Sequence, residues 1–547
     1  MTEMNDKSRA AAKGLRPVAA GMAAVLFLAA WHFLDVKDGS FQTGRNWLRG
    51  WYGLAVCWGM ISLGILGFLA LIRQKKWRPE VFFAVSGLLL GLLFMSVLPP
   101  LSAPDEVSHY VSSYQLSNRF LGKTAADPEG RVYIRSQDAW AEDVTDILAD
   151  DGSSGSSEGA AVIFGQTVEQ DTYEILRNRG FGGAEEESQE MVPSYQPAVR
   201  TTPLSYVPQA LGISLGRLLG LGTLGLMFLG RISNLIFYCA AGFFAVRRTP
   251  FGKEVLCGVG LLPMSLHLVS SMSYDVMILA LTGYFLAVCL DLAYRAERVR
   301  LRDVLVLATV LAVMGPCKIV YGVIAGWCLL IPVKKFGGWG RWAAAAALVL
   351  GAFAAAMALV NLQTVAIYTG VEDRYIIWAD EPGYSFAQLI HSPLKVLRLC
   401  YNTLAGYGEQ LYSGLIGGMM GNLDPVLNVP YAVILALTVL LVILALRKPG
   451  EQLFMSLGQK VWIWFLCLLC LGALMFSMLL GWTPVSAAMI QGVQGRYLLP
   501  LLPAFLLTVK NDRVVRTWGK DGGILFAMAC MDVYAILRIF SIVCLRV

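Results

Sequence analysis

The sequence Leu98-Pro-Pro-Leu-Ser-Ala-Pro104-Asp105-Glu106-Val-Ser-His109-Tyr110 directly follows an apolar run that ends near Val97. Two adjacent carboxylates, Asp105 and Glu106, and the imidazole of His109 therefore stand where the chain leaves that run. An ionised side chain at the centre of a bilayer costs roughly 2.5–3.5 kcal/mol even on a lenient insertion scale. This stretch predicts a polar site at a membrane surface or in a water-filled cavity.

The composition of the whole chain indicates a polytopic membrane protein. Of its 547 residues, 56% are hydrophobic and 15% are charged, and the mean hydropathy is +0.59. These values lie outside the range of soluble globular domains. A transmembrane helix requires about 20 apolar residues, and many windows of the sequence meet that length. The net charge of +6 is explained by Lys and Arg residues, which set the orientation of a membrane protein in the bilayer. No nucleic-acid partner is therefore expected.

The 11 cysteines do not predict a disulfide framework or a zinc site. Nearly all of them lie within apolar runs, and the long polar stretch at 101–202 contains none. Cys467 and Cys470 have a C-x-x-C spacing, but they lie in a run long enough to cross a lipid bilayer and lack His or Cys neighbours. Small buried apolar residues are the better interpretation.

The basic links between apolar runs predict the orientation of the chain. We predict an all-α protein with about 13 membrane-spanning helices, in which residues 1–78 form two N-terminal helices before a larger domain at 79–547. Basic links are retained on the cytoplasmic side of membranes. The links concerned are 73–78, 247–248, 295–302, 334–335, 447–448 and 510–516. This assignment directs Asp105 and its neighbours to the outer face.

Two long stretches contain no clean membrane-length apolar run. Residues 101–202 are predicted to form an extracytoplasmic loop, and 142–192 within it are expected to be partly disordered because they are rich in Gly, Ser, Asp and Glu. Residues 363–430 form a second long extracytoplasmic loop. The segment 203–220, interrupted by proline and arginine, is predicted to be an interfacial helix. A break at Gly315-Pro316-Cys-Lys318 divides 304–333 into a helical pair with Lys318 at its outer apex.

Charged residues from distant parts of the chain map to the same predicted face. They are Asp105, Glu106, His109, Asp275, Lys318 and Arg496. Each has a simpler explanation when taken alone: Asp275 is a candidate helix N-cap, Lys318 a snorkelling lysine and Arg496 an anchor at a helix end. Together, acids and bases around a membrane-level cavity point to a site for an anionic lipid headgroup and a reacting hydroxyl group.

A set of short motifs carries a resemblance to a known family. The motifs are Pro104-Asp105-Glu106 with His109 and Tyr114, Pro203-Leu-Ser-Tyr206, Gly230-Arg231-Ile-Ser-Asn234, Ser273-Tyr-Asp275, Lys318-Ile-Val-Tyr321 and Gln494-Gly-Arg496-Tyr497-Leu-Leu-Pro500. The chain resembles a bacterial family of polytopic membrane proteins of unknown function that is grouped with the class C (GT-C fold) glycosyltransferases. The likeness extends over nearly all of the chain after the first two apolar runs. Those two runs depart from the usual GT-C order, but an even number of them preserves the predicted sidedness.

The resemblance implies a transferase that moves a sugar from a polyprenyl-phosphate-linked donor to an extracytoplasmic glycan, lipid or protein. Asp105 would be the general base on the acceptor hydroxyl, with Glu106 orienting it or binding a metal. A Mg²⁺ or Mn²⁺ ion would take Asp105, Glu106 and Asp275 as oxygen ligands. Lys318 or Arg496 would neutralise the departing lipid phosphate. The expected substrate-binding residues are His109, Asp275, Lys318, Tyr321, Gln494, Arg496 and Tyr497.

A transporter or flippase for a lipid-linked glycan is the main alternative. The break at Gly315-Pro316 supports it, because interrupted helices form the midplane sites of many transporters. Against it, the sequence shows no repeated half, and the charged residues gather on one face instead of along a path. A scaffold without catalytic activity is a third interpretation. In every case the family likeness places the protein in the bacterial cytoplasmic membrane, with its functional face outside.

Overall fold

The computed structural model describes residues 2–72, 77–143, 167–180, 190–199, 201–369 and 375–546. These residues are mostly helical, in agreement with the predicted helical class. Two small antiparallel sheets are the exceptions. Strand β1 (Arg131–Arg135) pairs with β2 (Met191–Pro197), and β3 (Tyr375–Ile376) pairs with β4 (Glu381–Pro382).

The α-helices vary greatly in length. In chain order they are α1 (Thr2–Thr43), α2 (Trp47–Gly67), α3 (Pro79–Val97), α4 (Glu106–Phe120), α5 (Trp140–Asp143), α6 (Gln170–Arg179), α7 (Val207–Leu218), α8 (Thr223–Arg248), α9 (Lys253–Gly260), α10 (Pro263–Val269), α11 (Asp275–Tyr294), α12 (Leu301–Met314), α13 (Trp339–Thr369), α14 (Phe386–His391), α15 (Pro393–Ile416), α16 (Met420–Leu423), α17 (Tyr431–Ala445), α18 (Leu457–Trp482), α19 (Leu502–Leu507) and α20 (Asp521–Cys544). Helix α2 continues into a π-helical turn at Phe68–Ile72. The 3₁₀ segments are Ser136–Asp138, Pro203–Tyr206, Gly315–Cys317, Ile319–Leu330, Val333–Phe336, Ile377–Ala379 and Gly495–Leu498.

Eight of the described helices are long and apolar enough to cross a membrane. They are Gly14–Thr43, Trp47–Ile72, Pro79–Val97, Thr223–Arg248, Asp275–Tyr294, Trp339–Val360, Leu457–Trp482 and Asp521–Cys544. Two shorter apolar helices, Ile319–Leu330 and Tyr431–Ala445, accompany them. The chain therefore has the architecture of a polytopic helical membrane protein.

The predicted count of about 13 spans is not confirmed, because the other apolar runs form short or interrupted helices. The run at 253–270 is divided into α9 and α10 at Leu261–Leu262. The run at 304–333 is divided at Gly315–Lys318, as predicted, but its second half is a 3₁₀ helix, Ile319–Leu330, that is short for a span. The run at 498–509 contains only the 6-residue α19. Even α17, with 15 residues, is only about 22 Å long, less than the roughly 30 Å hydrocarbon core of a bilayer. Apolar composition alone does not reveal where the backbone turns.

The two N-terminal helices pack into the same bundle as the rest of the chain. Helices α1 and α2 contact the C-terminal helix α20. The hydroxyl of Tyr52 donates to the carbonyl oxygen of Ala29 (2.8 Å), and the ring of Trp51 meets that of Phe540 edge-on at a centroid distance of 6.2 Å. The helices on the two sides of the division predicted at residue 78 therefore pack together in one bundle.

Helix α6 closes one end of this bundle. The amide of Gln170 donates to the carbonyl oxygens of Gly39 (3.3 Å) and Cys544, and the hydroxyl of Tyr173 donates to that of Val97 (2.6 Å). Within 142–192, where partial disorder was expected, α6 is an ordered helix, while 144–166 and 181–189 lie outside the described residues. The second predicted loop, 363–430, contains α14, α15 and α16, and 370–374 lie outside the described residues.

Ion pairs connect several of the basic links at the other end of the bundle. The ammonium group of Lys448 lies 2.9 Å from Glu254 and 2.8 Å from Asp521. Lys510 is fully buried and lies 2.6 Å from Glu451. Helix α11 carries Asp291 to this end, where it pairs with Arg248 (3.0 Å), whereas the first residue of α11, Asp275, belongs to the opposite end. We predicted that the basic links lie on one side of the membrane. Three of them lie at one end of the fold: 247–248, 447–448 and 510–516.

Candidate functional site

The loop between α3 and α4 has an unusual backbone. Leu101 and Asp105 adopt positive φ angles of 67° and 57°, a conformation that costs a non-glycine residue roughly 1–3 kcal/mol and is concentrated at functional sites. Asp105 occupies the N-cap position of α4, yet its side chain makes no capping hydrogen bond. The loop thus directs the carboxylate of Asp105 away from the helix that follows it.

A buried ion pair between Glu106 and Arg231 holds this loop in place. Arg231 donates from Nε to Oε1 of Glu106 (2.8 Å) and from Nη2 to Oε2 (2.6 Å). The same guanidinium donates to the carbonyl oxygens of Leu98 (2.7 Å) and Pro99 (2.6 Å). Both side chains are about 1% exposed. Helix α8, which carries Arg231, is therefore fastened to both ends of the loop.

The carboxylate of Glu106 is saturated by these contacts. Besides the two bonds from Arg231, it accepts the backbone N–H of Ala103 (3.1 Å) and that of Met272 (2.9 Å). Four accepted bonds fill the four lone-pair positions of a carboxylate. The resemblance implied that Glu106 orients Asp105 or binds a metal, but neither oxygen of Glu106 is free to do so. Its contacts instead connect α4 to α8 and to the turn before α11.

Asp105 has the opposite environment. Its side chain is exposed, and no group in the described part of the chain donates a hydrogen bond to its carboxylate. Protein nevertheless surrounds it on most sides, and the resulting loss of hydration raises the pKa of the Asp105 carboxyl above its ordinary value. The cations of Arg496 and Lys318 act to lower this pKa, and the carboxylate of Asp275 acts to raise it. The group is a carboxylate reached by solvent within a largely enclosed space.

Asp275, Lys318 and Arg496 form a cluster beside Asp105. The ammonium group of Lys318 donates to Oδ1 of Asp275 (2.8 Å), and Nε of Arg496 lies 3.9 Å from Oδ2. The same ammonium group lies 4.2 Å from the ring centroid of Tyr497 and 5.3 Å from that of Tyr274, which are cation–π distances.

These contacts argue against the simpler explanations that the sequence offered for Lys318, Asp275 and Arg496. Burial acts to lower the pKa of Lys318, but the Asp275 carboxylate together with Tyr274 and Tyr497 outweighs it and the net shift is upward, so the lysine is charged and paired within the protein. It does not snorkel. Tyr274, and not Asp275, occupies the N-cap position of α11. Arg496 is 93% buried, which does not fit an anchor at a membrane surface.

His109 and Tyr321 support the walls of the cluster. Nδ1 of His109 lies 2.8 Å from the hydroxyl of Tyr206, and its ring meets Tyr274 edge-on at 5.1 Å. Burial lowers the pKa of His109 to about 3, so its imidazole is neutral. The buried hydroxyl of Tyr321 donates to the carbonyl oxygen of Tyr497 (2.7 Å). Both side chains hold neighbouring segments in position, and the predicted role of Tyr321 in binding substrate is better described as positioning Tyr497.

A cavity of about 210 Å³ lies next to the cluster, bounded on one side by Pro104 and Arg496. Helices α10 and α15 and the segment 490–496 form its walls. Its polar lining residues are His267, Tyr407, Gln410, Gln491, Gln494 and Arg496. A Cβ atom on Gly495 would lie 1.9 Å from the carbonyl oxygen of Leu411, so only glycine allows this segment to approach α15. The motif Gln494-Gly-Arg496 therefore forms one wall of the cavity.

His267 was not found by sequence reasoning. It lies in an apolar run without a recognisable motif, and its position in the cavity depends on the packing of α10 against α15. The available signal was the presence of a lone histidine in a predicted span, because ionisable residues within such spans are rare and usually functional.

The residues of the cluster do not fit a divalent metal ion. In the described ranges, no group of three or more His, Cys, Asp or Glu side chains is arranged as a metal site. Glu106 is saturated and Asp275 is paired with Lys318, which leaves Asp105 as a single carboxylate. The expected Mg²⁺ or Mn²⁺ site on Asp105, Glu106 and Asp275 is therefore not formed.

The fold and the site define a class: a polytopic helical membrane protein that has, at one end of its helical bundle, a carboxylate without a partner among the described residues, a buried arginine, a half-buried lysine and a polar cavity. The chain belongs to the family described as "Predicted membrane protein (DUF2142)", whose model matches residues 88–505. That range contains the Glu106–Arg231 pair and the whole cluster. No curated protein and no solved structure matches the chain.

Proposed function

We propose that the protein is a membrane glycosyltransferase of the GT-C type. It transfers a sugar from a polyprenyl-phosphate-linked donor to a hydroxyl group of a cell-envelope glycan, lipid or protein, at the outer face of the bacterial cytoplasmic membrane. The observation that carries the proposal is the environment of Asp105, whose carboxylate is reached by solvent and receives no hydrogen bond within the described chain. A carboxylate with a raised pKa is suited to accept a proton from the attacking hydroxyl.

The two cations supply the second requirement of the reaction, which is to stabilise the phosphate that leaves. Lys318 is already paired with Asp275 at 2.8 Å. Arg496 is less committed, because its Nε has no hydrogen-bond partner among the described residues. A guanidinium group can bind a phosphate through two parallel hydrogen bonds. In the proposal Arg496 therefore binds the carrier phosphate, and the Lys318–Asp275 pair orients the cluster around it.

An apolar cavity supports the proposal of a lipid-linked donor. It has a volume of about 430 Å³ and begins at Leu498, two residues after Arg496. Its lining residues are Leu415, Trp464, Cys467, Leu468, Leu471, Leu498, Leu501, Leu502 and Phe505. Helix α15 borders both cavities, through Leu411 on the polar side and Leu415 on the apolar side. A carrier with a phosphate at Arg496 would place its hydrocarbon chain along this apolar surface.

Transport of a lipid-linked glycan is the competing proposal. The interruptions at Leu261–Leu262 and at Gly315–Lys318 favour it, because broken helices form the binding sites of many transporters. A transporter would move its substrate between leaflets without breaking the bond between the sugar and the carrier phosphate. The two functions therefore differ in the chemical identity of the product.

The test is sugar transfer by the purified protein. The protein is incubated with radiolabelled polyprenyl-phosphate sugars and an envelope extract, and the products are separated by chromatography. We expect transfer by the wild type and a loss of roughly 10²–10⁴-fold in Asp105→Asn, the usual value of a general base. Asp512→Asn, a change at an exposed residue outside the cluster, is the matched control.

Two outcomes would reject the proposal. Transfer by Asp105→Asn at the wild-type rate would exclude Asp105 as the base. Movement of the intact labelled lipid across reconstituted vesicles, without transfer, would favour the transporter.

A further inference from the structure

Three side chains around the 210 Å³ cavity carry buried polar atoms that lack hydrogen-bond partners within the described part of the chain. They are both ring nitrogens of His267, Oε1 of Gln494 and Nε of Arg496. The imidazole of His267 faces the backbone of Gly421 without forming a hydrogen bond of normal geometry. His267 is 2% exposed. Buried polar groups in folded proteins almost always have a partner, and an exception calls for an explanation. Three exceptions on one cavity indicate that a ligand supplies the missing bonds.

The missing bonds specify the chemistry of that ligand. Oε1 of Gln494 only accepts hydrogen bonds, and Nε of Arg496 only donates them. A neutral imidazole such as that of His267 needs one donor and one acceptor. Phosphate and carboxylate groups at neutral pH offer mainly acceptors, so they cannot satisfy Gln494. Hydroxyl groups both donate and accept, and a ligand with several of them satisfies His267 and Gln494, while the carrier phosphate satisfies Arg496.

The size and the remaining lining of the cavity agree with a sugar ring. One ordered water needs only roughly 10–15 Å³, so the volume of about 210 Å³ accommodates something much larger. Met264, Leu411, Ile490 and Val493 provide apolar contacts for the C–H faces of a ring. The lining contains no Asp or Glu, and Arg496 is its single Lys or Arg.

We infer that this cavity binds one uncharged pyranose unit, a neutral hexose or N-acetylhexosamine. The inference rests on the proposed function and names its substrate class. Pro104 lines the cavity and directly precedes Asp105, so a sugar bound there lies beside the proposed base. A sugar with a carboxylate would compete with the carrier phosphate for Arg496, which is why the unit is uncharged.

Binding of simple glycosides to the full-length protein tests this inference without requiring turnover. The protein in lipid nanodiscs that contain a polyprenyl phosphate, which occupies Arg496, is titrated with methyl glycosides of glucose, galactose, mannose and N-acetylglucosamine, and separately with methyl glucuronide. Saturation-transfer NMR reports which of them binds. We expect at least one neutral glycoside to bind and methyl glucuronide to remain unbound.

Two variants connect that binding to the cavity. Gln494→Leu and His267→Asn each remove a hydrogen bond in a buried site, and each should weaken binding of the neutral glycoside by about tenfold. His391→Phe changes an exposed histidine on α14, outside the cavity, and should bind as the wild type does. Thermal unfolding of each variant establishes that it is folded.

The outcomes separate this inference from the proposed function. Absence of binding by all four neutral glycosides, equal binding of methyl glucuronide, or unchanged affinity in both cavity variants would each overturn it. Sugar transfer without such binding would overturn the cavity assignment alone. Binding that depends on Gln494 and His267, in a protein that transfers no sugar, would leave the pyranose site standing and reject the transferase.

Discussion

Asp105 and Glu106 are adjacent in sequence, but their carboxylates have opposite hydrogen-bond environments. Glu106 accepts four hydrogen bonds, two of them from Arg231, while Asp105 accepts none from the described chain. The positive φ of Asp105 produces this difference, because it turns one side chain outward just before α4 begins. Glu106 thus maintains the structure, and the carboxylate of Asp105 remains available for the role of base that we propose.

This division predicts that Glu106→Gln acts on folding and not on the chemical step. Removing one member of a buried ion pair leaves an uncompensated charge and costs roughly 3–5 kcal/mol. We expect a large fall in thermal stability and yield, with near-normal activity in the fraction that folds. The double variant Glu106→Leu, Arg231→Met should be less destabilised than the sum of its single variants, as measured by a double-mutant cycle. Additive losses would contradict the assignment.

A second prediction concerns the pH dependence of turnover. The base must be ionised to act, so activity should fall as the pH decreases through the pKa of Asp105. Because burial raises that pKa, the acid limb of kcat/KM should lie above the ordinary aspartate value of about 3.9. The limb should be absent from the residual activity of Asp105→Asn. A limb that persists in this variant would assign it to another group.

The same pKa shift has a consequence for stability. A carboxyl group with a raised pKa in the folded state binds its proton more tightly there than in the unfolded chain. Its contribution to stability is therefore present at low pH and is lost as the pH rises through the folded-state pKa. Asp105→Asn, which cannot ionise, should be at least as stable as the wild type at neutral pH. A marked loss of stability in a thermal melt would indicate a structural role for Asp105.

A third prediction concerns Asp532, in the middle of α20. Both of its carboxylate oxygens are buried without a hydrogen-bond partner in the described part of the chain. Burying such a group without compensation costs roughly 1–3 kcal/mol by mutational measurements. Asp532→Leu should therefore raise the melting temperature, and Asp532→Asn should raise it less because a polar amide remains. A lower melting temperature in both variants would show that the carboxyl group has a partner in the membrane.

The sequence was sufficient to predict that distant charged residues meet. The basic links fixed which helix ends share a side, and Asp275, Lys318 and Arg496 do lie together. It could not distinguish Glu106 from Asp105, because that difference depends on Arg231, 125 residues further along the chain. Nor could it find His267, whose exposure to the cavity is a result of packing between α10 and α15. The break at Gly315–Lys318 was predicted, because a proline and a lysine mark it. Long-range pairing and the break at Leu261–Leu262 are tertiary properties that hydropathy does not encode.

A fourth prediction separates phosphate binding from charge alone at Arg496. Arg496→Lys retains the positive charge but removes the planar group that binds phosphate through two hydrogen bonds. We expect the KM for the lipid-linked donor to rise and kcat to fall, while expression and melting temperature are retained. Lys460→Arg is the control; Lys460 is a basic residue at the opposite end of the fold, where its ammonium group donates to the backbone carbonyl oxygen of Lys510. Activity of Arg496→Lys equal to that of the wild type would leave Arg496 with a purely structural role.

The last prediction concerns the side of the membrane on which the cluster lies, since the proposed acceptor is extracytoplasmic. Lys123 is exposed shortly after α4, at the end of the fold that carries Asp105. Arg298 is exposed in the link between α11 and α12, at the opposite end. Lys123→Cys should react with a membrane-impermeant thiol reagent in intact cells, and Arg298→Cys should react only after permeabilisation. The wild type, with its native cysteines, gives the background. The reverse labelling would place Asp105 and Arg496 on the cytoplasmic side and would reject transfer to an extracytoplasmic acceptor, whatever the chemistry of the cluster.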